Sequence, residues 1–202
     1  MHAVQTILSP MYPVNQYMVI IRPSEAVINR IKTIRNDWKT HFNLQNTQLQ
    51  GGFFMLAKFS QFAMLEQRVT DKIKMIAMEA APFRLQLKDY TAIPDHSIGT
   101  GIVNPAGLKA IVKMLRREQR ILKGGGELPF FNDQPGLWIA TRLQQKQYDE
   151  IYNRYKNRHF TAAFVAENMI LLRKAANQKQ WTVLENMPLQ NLPVFSQQGM
   201  LF

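Results

Sequence analysis

Apolar positions in this chain recur in two rhythms, one of strands and one of helices. Residues 15–23, NQYMVIIRP, form a short Val/Ile-rich run closed by proline, the mark of a buried strand. Ser24 then opens a helix in which Val27, Ile28, Ile31, Ile34, Trp38 and Phe42 return at spacings of one, three and four. A polar loop (43–52) leads to a strand, FFMLAKF (53–59), and a helix over 61–80 with Phe62, Leu65, Val69, Ile73 and Ile76 on one side. FRLQLKDYTAI (83–93) alternates apolar and polar, and HSIGTGIV (96–103) reads as a strand weakened by two glycines. Asn104 and Pro105 mark a helix start; that helix runs to about Leu122 and stops at the glycines of 124–126. The remainder predicts a strand (137–143), a helix (144–158) with Tyr148, Ile151, Tyr152 and Tyr155 on a face, one long strand (160–174) bending near Glu167–Asn168, and a last strand (181–189).

The order of elements repeats. Residues 53–103 read strand, helix, strand, strand, and so do residues 137–189. The expectation is an α+β protein of two pseudo-symmetric lobes, each a mostly antiparallel sheet with helices on its outer face. A sheet covered on one side leaves its other face open, so two such lobes enclose a cleft. Residues 1–189 are read as one domain and 190–202 as a C-terminal tail without a clear period.

Composition narrows the chemistry. With 46% apolar and 19% charged residues over 202 positions, the chain can bury a core of its own. It has no cysteine, which excludes disulfides, thiolate metal sites and cysteine nucleophiles. The N-terminus, MHAVQTILSPMYPV, lacks the basic and apolar regions of a signal peptide, and no apolar run is long enough to span a membrane. Cytoplasm is the default compartment, with no membrane partner. The net charge of +11 points to an anionic partner such as RNA or a nucleotide, or else to a solvated basic surface. Only Lys113, Arg116, Arg117, Arg120 and Lys123 gather on one helix.

Two strands then raise a question, because they have the setting of a catalytic site and no catalytic group. They are GGFFMLAKF (51–59) and PGLWIATRL (135–143). In order and architecture they resemble the two strands of the two-histidine phosphoesterase, or 2'-5' RNA ligase, family, which carry one His-x-Thr/Ser motif per lobe. The closing stretches HFTAAFVAENMILLRK and WTVLENMPL add to the resemblance, which covers roughly residues 15–189. In that family, the resemblance implies, the histidines act as general acid and base on a 2',3'-cyclic phosphate or a 2'-5' linkage, and the hydroxyls bind phosphate. Here Phe53 and Met55 stand in place of the first pair, and Gly136 and Trp138 in place of the second. Thr141 stands where many relatives have Arg, with Arg142 directly after it. Phe, Met and Gly transfer no protons, so the family mechanism is not open to this chain and no catalytic residue is assigned.

None of the four histidines stands in a motif that marks it as a replacement. His96 lies in the string HSIGT, His41 and His159 sit at helix ends, and His2 is close to the terminus. No spacing suits a metal, no phosphate-loop or nucleophile-elbow motif occurs, and no cofactor is expected. Strand alternation puts Gly136, Trp138, Ala140 and Arg142 on one face, which on the resemblance lines the cleft together with Phe53, Met55 and Ala57. Three readings follow. Phe53 or Trp138 stacks on a base while Lys58, Arg84, Lys88, Arg142 or Arg173 holds phosphate, giving a non-catalytic protein that binds a nucleotide or RNA end. Alternatively, the apolar side chains plug the cleft, and the protein is an interaction module whose apolar tail (193–202) docks on a partner or a second copy. The third reading is a residual phosphodiesterase with relocated catalytic residues.

Overall fold

Alternating side chains place Tyr17, Val19 and Ile21 on one face of the first strand, β1 (Val14–Ile21), and all three are fully buried. A computed structural model describes residues 12–193 apart from 47, 50 and 125; His2 and most of the expected docking tail lie outside them. The helix α1 (Glu25–His41) follows, and then β2 (Phe54–Phe62), which runs three residues further than its apolar pattern suggests. Buried Gln61 explains the extension, since its side-chain amide donates to the carbonyls of Ile121 and Lys123. A single 3-10 turn leads into α2 (Glu66–Glu79), then β3 (Phe83–Ile93) and β4 (Ser97–Ile102). Next come α3 (Ala106–Arg117), the one-turn α4 (Gln119–Leu122), a two-residue strand β5 (Phe130–Phe131) and β6 (Leu137–Ala140). The chain ends with α5 (Gln145–Tyr155), β7 (Thr161–Ala166), β8 (Asn168–Lys174) and β9 (Thr182–Pro188).

The strands form two antiparallel sheets, of order β5-β2-β1-β8-β9 and β6-β4-β3-β7. Helices α2 and α3 contact the first sheet, and α1 and α5 contact the second. Under the second sheet Trp38, Tyr90 and Tyr155 meet as an aromatic cluster, with Tyr155 edge-on to both partners. Phe54 of the first sheet stacks on Phe164 of the second, ring centroids 6.1 Å apart, so the two cores are continuous. This is the expected α+β architecture.

Two expectations need correction. The stretch 160–174 is not one bent strand: β7 belongs to the second sheet and β8 to the first, and the bend at Glu167 is where the chain crosses. Nor does each repeat build its own lobe. The first unit gives β2 to one sheet and β3 and β4 to the other, and the second unit divides β6 and β7 from β8 and β9 in the opposite sense. Strand exchange of this kind brings β2 and β6, the two strands that carry the resemblance, to separate walls of one cleft.

Candidate functional site

Register fixes which side chains share the open face of each sheet, because residues directly opposed in an antiparallel pair lie on the same side. On the first sheet Met18 opposes Lys58, and Ile20 opposes Met55. On the second, Gly99 opposes Trp138 and Gly101 opposes Lys88. Gly99 and Gly101 are two residues apart on β4, so Lys88 and Trp138 share a face. Arg84 precedes Lys88 on that face, since both alternate with fully buried Leu85 and Leu87.

The four positions that the sequence resemblance matches to the motifs come together. Phe53, Met55, Gly136 and Trp138, with Met18, Gly51 and Asn132, line one cavity of about 140 Å³. Asn132 holds its edge in place: its side-chain amide donates to the Met55 carbonyl at 2.9 Å and its backbone N–H to Leu56 at 2.9 Å. A second cavity of about 350 Å³ shares Gly136 and Trp138, and is completed by Thr91, Thr100, Gly101, Ile102, Pro105, Lys109, Gln134 and Pro135. Trp138 thus stands between two hollows.

Glycines explain how two large rings sit here without closing the space. A Cβ on Gly136 would lie 2.9 Å from Trp138 Cε2, 2.9 Å from Cζ2 and 3.1 Å from Nε1. One on Gly99 would lie 3.0 Å from Cε3 of the same indole. The indole therefore lies across both glycines, with its remaining surface turned to the cavities. Phe53 is placed likewise, because a Cβ on Gly51 would meet Phe53 Cε1 at 2.6 Å and Cδ1 at 2.9 Å. In each case the aromatic folds back on the glycine two residues before it.

The predicted cations divide. Lys58, Arg84 and Lys88 are exposed on the open faces. Arg142 is not on the cleft: β6 ends at Ala140, the Thr141 N–H donates to the Gln48 carbonyl at 2.8 Å, and Arg142 takes a φ of 55°. That turn sends Arg142 into a separate amide-lined hollow with Asn43, Gln45, Gln48, Gln144 and Gln147. Arg173 is on the wrong side of its sheet. It opposes Tyr17 in the register and ion-pairs with Glu66 at 3.0 Å, while the Tyr17 hydroxyl donates to the same carboxylate at 2.9 Å. Burial pushes the Tyr17 phenol up to about 12, with the bond from Asn15 acting against it and Glu66 adding to it. Ala57 is fully buried and lines neither cavity.

The histidines of the described region are engaged elsewhere. His41 pairs with Asp37 at 3.0 Å, His96 bonds Ser97, and His159 bonds Asp89 at 3.2 Å. The His159 bond, with the backbone N–H of Phe160, holds the Asp89 carboxyl below its ordinary range. Among the described residues no cluster of His, Asp or Glu suits a metal ion, and neither cavity is lined by a residue of those three types. Met18, Asn132 and Lys109 are lining residues that the sequence reading missed. Lys109 had a signal, as it lies one turn inside the helix that Asn104 and Pro105 open.

No family model and no curated protein matches the sequence. Solved structures match the fold. Escherichia coli LigT complexed with 3'-AMP aligns with a TM-score of 0.58 at 13% identity, covering 88% of this chain and 98% of that one. LigT complexed with NADP+ gives 0.56 at 15%, over 88% and 99%. TT0787 of Thermus thermophilus gives 0.54 at 17%, over 87% and 98%. The chain therefore has the LigT-like fold, the fold that the sequence resemblance implied.

Proposed function

We propose that this protein is a non-catalytic, LigT-like binding protein that takes a nucleotide or RNA end in the cleft between its sheets. One observation carries the reading: the Trp138 indole is laid on a glycine floor at a position where the resembled family has a catalytic motif, with open space beside it. Base–aromatic stacking contributes about 1–3 kcal/mol per base and tolerates any base. Lys58, Arg84 and Lys88 on the open faces and Lys109 in the larger cavity supply charge for phosphate. LigT itself has been solved with 3'-AMP, NADP+ and ATP, which supports a nucleotide as the ligand class. The cavities lack histidines and carboxylates, which supports binding without acid–base chemistry. The plugged-cleft reading fits less well, because both rings are drawn aside and a void remains.

The test is a titration with 3'-AMP, 2',3'-cyclic AMP and a 3'-phosphorylated RNA trinucleotide at low salt, read by tryptophan fluorescence and thermal shift. Trp138→Ala should weaken binding roughly five- to 150-fold, the equivalent of the stacking range, with the fold intact. Absence of binding by all three ligands to the parent protein would refute the proposal, and turnover of the cyclic nucleotide would refute its non-catalytic part.

A further inference from the structure

The basic residues clustered in the third helical segment acquire a direction in the fold. Lys109, Lys113, Arg116, Arg117, Arg120 and Lys123 are all exposed and, apart from the neighbours Arg116 and Arg117, follow one another at three- and four-residue steps, a stripe along α3, α4 and the residue after α4. The opposite side of the same segment is core: Leu108, Ile111, Val112, Leu115 and Leu122 are buried. The α3 part of the stripe, Lys109 to Arg117, is about 12 Å long at 1.5 Å per residue, and α4 continues it after a break at Glu118. Among the described residues Arg116 pairs with Asp133 at 2.6 Å, and the other five cations make no ion pair. The stripe also has an origin, because Lys109 lines the cavity beside Trp138.

We propose that this stripe is the binding surface for the body of a single-stranded nucleic acid whose terminal nucleotide occupies the cleft. The proposal rests on the cleft reading for its end point and on the stripe for the rest. Continuity with the Trp138 cavity and a run of unneutralised cations favour a flexible polyanion. A membrane surface is the weaker match, since none of the large exposed apolar residues lies on α3 or α4 to enter a bilayer. Five phosphate contacts on a single strand give a log–log salt slope of about −3.5, so affinity should fall roughly 100-fold between 50 and 200 mM salt.

The experiment uses fluorescence anisotropy with a labelled 12-nucleotide single-stranded RNA of mixed sequence, and 3'-AMP as the one-nucleotide probe, across a salt series. The triple variant Lys113→Gln/Arg117→Gln/Arg120→Gln changes exposed side chains outside both cavities, and its melting temperature is recorded beside the parent's. The expected result is weaker RNA binding, a slope shallower by about 2, and an unchanged affinity for 3'-AMP. RNA binding with these features but no binding of 3'-AMP would leave the stripe standing and remove the cleft as its end point. Parental RNA affinity and slope in the triple variant would overturn the proposal. It would equally be overturned if Arg84→Gln/Lys88→Gln produced the change in slope instead, or if the protein bound phosphatidylserine vesicles and not RNA.

Discussion

Gly99 and Gly136 both lie beneath Trp138, yet alanine at each should do different things. At Gly99 a Cβ would stand 2.4 Å from the Leu137 carbonyl oxygen and 2.9 Å from Trp138 Cα. Those atoms are backbone and cannot rotate away, so β6 must move from β4, to which it is paired through Gly99–Trp138 and Thr100–Leu137. Overpacking of this kind costs about 1–3 kcal/mol. In a chain of this size that corresponds to a fall in melting temperature of about 2–12 °C. At Gly136 the near atoms all belong to the indole, whose ring can tilt. Gly136→Ala should thus melt close to the parent while its tryptophan emission and near-ultraviolet circular dichroism change. Thermal melts followed by circular dichroism, with fluorescence on the same samples, separate the two outcomes. If Gly99→Ala melted within about one degree of the parent, or if Gly136→Ala left both spectra unaltered, the glycine floor would be wrong.

Other expectations follow from the same geometry. Because the Tyr17 phenol is raised to about 12 in the folded protein, its contribution is full below pH 10 and is lost as pH climbs from 10 to 12. Tyr17→Phe should flatten the denaturant-midpoint profile over that range. Phe54→Ala removes the ring that stacks on Phe164 between the sheets and should cost about 3–5 kcal/mol in urea unfolding. The combined variant Phe53→His/Met55→Thr/Gly136→His/Trp138→Thr should acquire slow hydrolysis of 2',3'-cyclic nucleotides; a folded but inactive variant would show that these positions do not superpose on the family motifs.

Much of the fold was written in local pattern. The alternation in FRLQLKDYTAI marks β3 to the residue, and Asn104–Pro105 marks the start of α3, because period and capping are properties of neighbours in sequence. What pattern cannot carry is the partner of a strand. The bend at Glu167 was visible, but only the pairing of β7 with β3 and of β8 with β1 shows that it is a passage between sheets. The site divides along the same line. Phe53, Met55, Gly136 and Trp138 were found from two strands and a resemblance, and they do line one cavity. Arg142 and Arg173 were misplaced for different reasons: one by a left-handed residue that ends its strand early, the other by the parity of β8, which turns it toward Glu66. Neither the early strand end nor the ion pair leaves a mark on hydrophobic period.

On the proposed reading, the residues at the two motif-like positions have a property that separates a platform from a plug. A plug needs only bulk, and many apolar residues in ordinary rotamers would supply it. Trp138 in its present place needs more: no Cβ on Gly99 of the neighbouring strand and none on Gly136 two residues before it, since either would come within about 3 Å of the ring. Phe53 needs Gly51 in the same way. Gly99 is required in any case by the Leu137 carbonyl, 2.4 Å from a Cβ there, so Gly136 and Gly51, where only the rings would be met, carry the distinction. What the glycines add is position. They let two rings lie back on the walls and keep a hollow between them, at the junction where Lys109 begins the cationic stripe.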